Sequence, residues 1–269
     1  MSSTDQHQPG LVPSVKAEPV DDLQQQSNLL KKLVGFEHDP IGVFLLKADS
    51  DLQPFAHYER VQRHRYCQLL MKARHGKSVL LEDAEIACPA AARAFGMREL
   101  PEGLAHGKGL VGFGIVAVPE IARRMFEKMP QLPRGAVKYI AAAPLQQCPA
   151  VPDVIVVEDE PEKLMWLLLA DLNLAGGERR VASTAVLQAT CVDSTVIPLL
   201  ENRLNFSLGC YGCREATDIS PTEAVLGFPG ARLADIVRVL GFLSEKALPR
   251  ARAKNAFSAL IAGGQTRTE

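Results

Sequence analysis

The chain has 269 residues, enough to bury a proper core. Its 30 Lys and Arg nearly cancel 31 Asp and Glu, and 47% of its residues are hydrophobic against 23% charged. That balance gives no basic face for nucleic acid or an anionic membrane, suits an ordinary globule, and no apolar run reaches the ~18 residues a bilayer crossing needs.

Residues 1–27 are rich in Gln, Pro, Ser and Asp, a composition that predicts a disordered tail. The stretch has no apolar centre such as a secretory leader carries, so a cytoplasmic location is expected. Within it Val15-Lys16-Ala17-Glu18 matches a eukaryotic lysine-modification pattern, of a length that recurs by chance. One α/β domain is expected over 28–262, followed by a flexible tail at 263–269.

"NLLKKLVGF" predicts a short helix and "IGVFLLKA", a compact apolar run, a strand. "HYERVQRHRYCQLLMKARHG" reads as one helix closed by Gly76. In "ACPAAAR" Pro89 favours the first helical position, which puts Cys88 at the N-cap and its thiol beside exposed N–H groups that favour a thiolate. "GLVGFGIVAVPE" reads as a glycine-rich strand and turn before a helix opened by Pro119. It falls short of a dinucleotide loop because the proline comes too late and no ribose-binding acid follows.

"AVKYIAAAPL" and "PDVIVVE" are strand-like, and "EPEKLMWLLLADLNLAGG" is a helix from Pro161 to Gly176-Gly177 with Met165 and Trp166 facing the core. "VASTAVLQATCVDSTVIPLLENR" is ambiguous and partly helical. "LNFSLGC" ends a short strand, "EAVLGFPG" is a strand and turn, and the stretch from "RLADIV" gives one or two amphipathic helices. Alternating strands and helices predict α/β or α+β, a mixed sheet with flanking helices. Arg123 and Arg124 read as a solvated helix face, and His64 and His75 as polar-face residues.

Six cysteines are left to explain. In a reducing compartment structural disulfides are not expected, which leaves core thiols, metal ligands or catalytic thiols. Cys210 and Cys213 form a Cys-x-x-Cys pair whose turn aims both sulfurs one way. It lies too late in the chain for a thioredoxin-type motif. Cys191 sits in "CVDST", where Asp193, Ser194 and Thr195 can cap the backbone. Cys148 has less context and is left unassigned.

"RYCQLL", "CPAAARAFG", "ARRMFEKMPQLP", "ATCVDSTVIPLL" and "NFSLGCYGCREATD", in this order, resemble the bacterial and archaeal domain-of-unknown-function family 169. The resemblance covers roughly residues 30 to 255 and implies no reaction. It does imply a shared thiolate site, because Cys67, Cys88, Cys191, Cys210 and Cys213 match the family's pattern.

On that basis the expectation is a [4Fe–4S] cluster on Cys88, Cys191, Cys210 and Cys213, in redox or sulfur metabolism. Cys67 is then an alternative ligand or a free catalytic sulfur. Arg214 is expected to neutralise cluster charge, Glu215 to accompany it, and Thr190 and Ser194 to tune the site. A structural zinc on the same thiolates stays open. So does a metal-free thiol enzyme, with Cys88 or Cys191 as nucleophile and Asp193, Arg214 or Glu215 holding substrate. A small-molecule substrate or a redox protein is the expected partner, with no nucleic acid and no membrane.

Overall fold

A computed structural model of the chain describes residues 22–177, 180–184 and 188–253. The expected tail at 263–269 and the lysine tetrapeptide lie outside the described residues. Helix α1 (Leu23–Val34) begins inside the stretch read as tail. Asp22 caps it by accepting from the Gln24 amide at 3.0 Å, and Leu30 and Val34 bury its inner face.

Then follow β1 (Ile41–Leu46), β2 (Glu59–Val61), α2 (Tyr66–Arg74), β3 (Val79–Glu82), α3 (Pro89–Ala94), α4 (Glu102–Ala105), α5 (Lys108–Gly112) and α6 (Pro119–Lys128). Beyond them come β4 (Tyr139–Pro144), β5 (Val154–Asp159), α7 (Pro161–Ala175) and a π-helical segment (Ala189–Val196). The chain continues with α8 (Ile197–Glu201), β6 (Asn205–Ser207), α9 (Tyr211–Ala216), β7 (Ala224–Pro229), α10 (Leu233–Glu245) and α11 (Ala247–Arg252).

The seven strands form one mixed sheet in the order β2-β3-β4-β1-β5-β7-β6. Every pairing is antiparallel except β2 with β3. Side chains alternate across it as the pleat requires. Val154, Val156 and Val225 join one core, with α2, α3, α6 and the π-helical segment. Ile155, Val157, Leu226 and Phe228 join the other, under α1, α7 and α10. The fold is therefore an α/β protein with its sheet between two helical layers. Among the described residues no helix is long and apolar enough to cross a membrane.

Three local readings are corrected. The stretch from His57 to Gly76 is not one helix. Its first part pairs with β3 as β2, and Arg63, at φ 53°, breaks the chain before α2. The glycine-rich stretch holds α5 and turns rather than a strand. Gly107, at φ 81°, is required because a β-carbon there would stand 2.1 Å from the Pro119 carbonyl oxygen. Met165 faces solvent, 46% exposed, whereas Trp166 is buried as expected and donates to Glu162 at 2.8 Å. Met165 projects away from the face on which Leu164, Trp166, Leu167 and Ala170 are buried. Arg123 lies on a solvated face and pairs with Glu127 at 2.6 Å.

Candidate functional site

Cys210 is the N-cap of α9, and the Cys213 amide donates to its Sγ at 3.1 Å. The single turn between them brings the two sulfurs to 2.8 Å. Cys67, in the first turn of α2, packs against both, and the three thiols form a buried cluster edged by Ala216. Cys88 caps α3 as the sequence predicts, half-buried, and Cys191 is buried on the π-helical segment. Both act electrostatically on each other or on Cys210, and Cys191 also on Cys213. Cys67, Cys210 and Cys213 are thus brought together from α2 and the α9 turn, while Cys88 and Cys191 lie in the adjoining core, near enough to act electrostatically on Cys210. Cys148 is not among them; it packs beneath Gly42 and Pro152 with its own sulfur on the Pro144 carbonyl. None of the six is in a disulfide.

The expected thiolate character of Cys88 is corrected. Burial pushes its thiol up, outweighing the Ala91 and Ala90 amides that pull the other way. Burial also pushes Cys191 well up, helped by the neighbouring thiols and Asp193. The hydrogen bond from Cys210 favours charge on Cys213, but the bond to Cys67 and burial outweigh it and lift that thiol to about 12. As packed, Cys88, Cys191 and Cys213 are held as neutral thiols.

The π-helical segment is the least ordinary backbone nearby; such segments are rare and concentrate at functional sites. It rests on β7 at Gly227, where a β-carbon would stand 1.8 Å from the Ser194 carbonyl oxygen. Its Thr190 Oγ1 lies 3.2 Å from Cys213 Sγ. Thr195 Oγ1 donates to the Thr190 carbonyl at 2.8 Å and meets the Tyr66 hydroxyl at 2.9 Å. A hydrogen-bonded chain therefore runs from Tyr66 to Cys213. Asp193 is buried and accepts from the Thr184 amide and hydroxyl and from Ser207 Oγ, each at 2.9 Å. Its carboxylate holds the segment to its neighbours. Ser194 is fully buried in the same segment.

At the rim, Arg214 donates to the carbonyls of Ser220 at 2.9 Å and Glu223 at 2.7 Å, and to that of Leu208. Its guanidinium clamps the loops flanking the cysteine pair. Glu215 reaches Arg65 at 2.8 Å across an exposed edge. Arg65 also donates to the Gly212 carbonyl at 3.2 Å, and the thiols of Cys67 and Cys88 act on its charge. Sequence reasoning missed Arg65, although it stands two residues before Cys67. Two turns along α2, buried Arg74 meets Glu223 and, at 3.4 Å, Glu158. Burial lifts Glu158 to about 7 against the opposing pull of Arg74. Its place in alternation with Val154 and Val156 was the available signal.

Among the described residues, no three or more His, Cys, Asp or Glu side chains stand in an arrangement that could hold a metal ion as packed. Two thiolates on one zinc, at about 2.3 Å each, stand about 3.7 Å apart. Cys210 and Cys213 are closer than that, so loading requires these sulfurs to turn apart.

The model of domain-of-unknown-function family 169, described as Uncharacterised ArCR, matches residues 29–239. The chain belongs to this family. Uncharacterized protein MJ0308 of Methanocaldococcus jannaschii is 28% identical over 223 residues, 82% of this chain and 94% of that protein. No solved structure matches the chain. Cys67, Cys88, Cys191, Cys210 and Cys213 all fall inside the part of the chain that family 169 covers.

Proposed function

We propose that this member of family 169 is a cytoplasmic protein that binds an iron–sulfur cluster, most simply [4Fe–4S], in redox or sulfur metabolism. Cys88, Cys191, Cys210 and Cys213 are the four ligands, with Cys67 as a fifth thiol at the site. The observation that carries the reading is the buried cluster of Cys67, Cys210 and Cys213, with Cys88 and Cys191 in the adjoining core near enough to act on Cys210 electrostatically. Packing alone has no need for so many thiols in one region, whereas a cluster needs four thiolates, or three with an open iron.

The surroundings fit a negatively charged group. Arg65 stands beside Cys67 and Cys88, and the Thr190 hydroxyl beside Cys213. Binding must expel thiol protons that burial retains, so uptake rises with pH. One observation favours a second reading, a structural zinc. Cys67, Cys210 and Cys213 already touch, and three thiols on one point plus a fourth suit a single tetrahedral ion.

Anaerobic purification with iron, acid-labile sulfide and zinc quantified separates the two. About four irons and four sulfides per chain with broad absorption near ~400 nm support the cluster. One zinc and no colour supports the structural ion. Neither metal after reconstitution of the reduced protein overturns both.

A further inference from the structure

Among these thiols two sulfurs differ from the other three. Cys210 and Cys213 are the two ends of one turn, their sulfurs 2.8 Å apart, and a disulfide closes at about 2.05 Å. Cys67 packs in the same buried cluster as the pair. Outside, a β-carbon on Gly212 would meet nothing within 4 Å, and Leu208 and Tyr211 are exposed, so the turn between the cysteines faces open space.

We propose that in the metal-free protein Cys210 and Cys213 are a thiol–disulfide exchange pair whose substrates are small-molecule disulfides. Cys210 Sγ, as thiolate, attacks one sulfur of RSSR. That S–S bond breaks, one RS⁻ leaves and takes up the proton that Cys210 gave to solvent. Cys213 gives its proton to solvent, and its sulfur attacks Cys210 Sγ. The new Cys210–Cys213 bond expels the second RS⁻, which is protonated in turn. Two protein thiols have lost two electrons and RSSR has become two RSH. The pair so closed has no lone thiolates for a metal. That consequence rests on the proposed metal site; the exchange does not.

The test uses the full chain, reduced, metal-free and anaerobic, with bis(2-hydroxyethyl) disulfide. The mixture is quenched in acid, alkylated under denaturing conditions and digested with trypsin. Cleavage after Arg203 and Arg214 releases both cysteines in one peptide, Leu204 to Arg214. The expected product is this peptide unalkylated and lighter by two hydrogens, with the other four cysteines alkylated. Cys213→Ser is expected to stop at one hydroxyethylthio adduct on Cys210. A doubly alkylated peptide, or a disulfide from either residue to Cys67, overturns the proposal. The wild-type peptide decides this even if a variant fails to fold. Reduced protein that takes up neither iron nor zinc sinks the metal site and leaves the exchange result standing. Closure that occurs but leaves iron uptake unchanged sinks only the linkage between them.

Discussion

Replacing Gly227 with alanine tests whether the π-helical segment depends on the bare backbone of β7. The added β-carbon would stand 1.8 Å from the Ser194 carbonyl oxygen and 2.6 Å from its carbon. A carbon–oxygen contact settles near about 3.3 Å, so the segment must lift by about 1.5 Å. The neighbours resist that lift. Asn205 Nδ2 holds the Asp193 carbonyl at 2.7 Å, and Ser207 holds its carboxylate at 2.9 Å. Overpacking costs about 1–3 kcal/mol, and each buried hydrogen bond lost adds about 1. A total of about 3–4 kcal/mol lowers Tm by about 10 °C in a chain of this size. The assay is a thermal melt followed by circular dichroism, with iron content after reconstitution as the readout of Cys191 position. Gly230→Ala is the comparison, because its β-carbon would meet the Pro152 carbonyl oxygen at 1.9 Å, near Cys148 but outside the cluster of Cys67, Cys210 and Cys213. It should lose stability and keep its iron. A Gly227→Ala protein melting within about 2 °C of wild type would refute the reasoning, since the segment would then not be seated on that strand.

Glu158, lifted by burial to about 7, is protonated in the folded state at pH values where the unfolded chain is ionised. Its contribution to stability is complete below about pH 4.5 and is lost as pH rises through about 7. Glu158→Gln should therefore flatten the pH dependence of urea unfolding between pH 5 and 8, and an unchanged slope counts against the assignment. Trp166→Ala should cost about 3–5 kcal/mol, whereas Met165→Lys should stay within about 0.5, measured by the same denaturation. Tyr66→Phe removes the hydroxyl partner of Thr195 at an expected cost of about 1 kcal/mol. No loss would mean the chain from Tyr66 to Cys213 carries no energy.

Much of the architecture was legible because single strong signals marked it. Pro161 and Gly176 bound α7, Pro89 placed Cys88 at its cap, and the apolar runs of β1, β4, β5 and β7 fell where expected. Where local pattern was overruled, tertiary pairing was the cause. β2 is three residues long and owes its form to β3, which no helical or alternating pattern in "HYERVQRH" could announce. Gly107 serves close backbone approach to Pro119, a need visible only once α5 and α6 are packed. At the site, the Cys-x-x-Cys turn was readable locally, and the resemblance grouped the other thiols with it. Their burial was not readable, so Cys88 was expected to be more acidic than it is. Arg65 and Glu158 were missed because one looks like a surface charge and the other hides in an apolar strand.

The sulfurs of Cys67 and Cys213 touch across about 150 residues of chain. At about 5–20 residues per second of synthesis, some 7–30 s separate their appearance. Cys67 comes from α2, which packs over β4, β3 and β1, Cys88 from the start of α3, and Cys210 and Cys213 from the segment between β6 and β7. The thiols therefore meet only after the last strands have docked. Whatever the cluster takes up is acquired by a finished domain, not by a nascent one, and then acts as a clasp between α2 and α9, joining early and late parts of the chain.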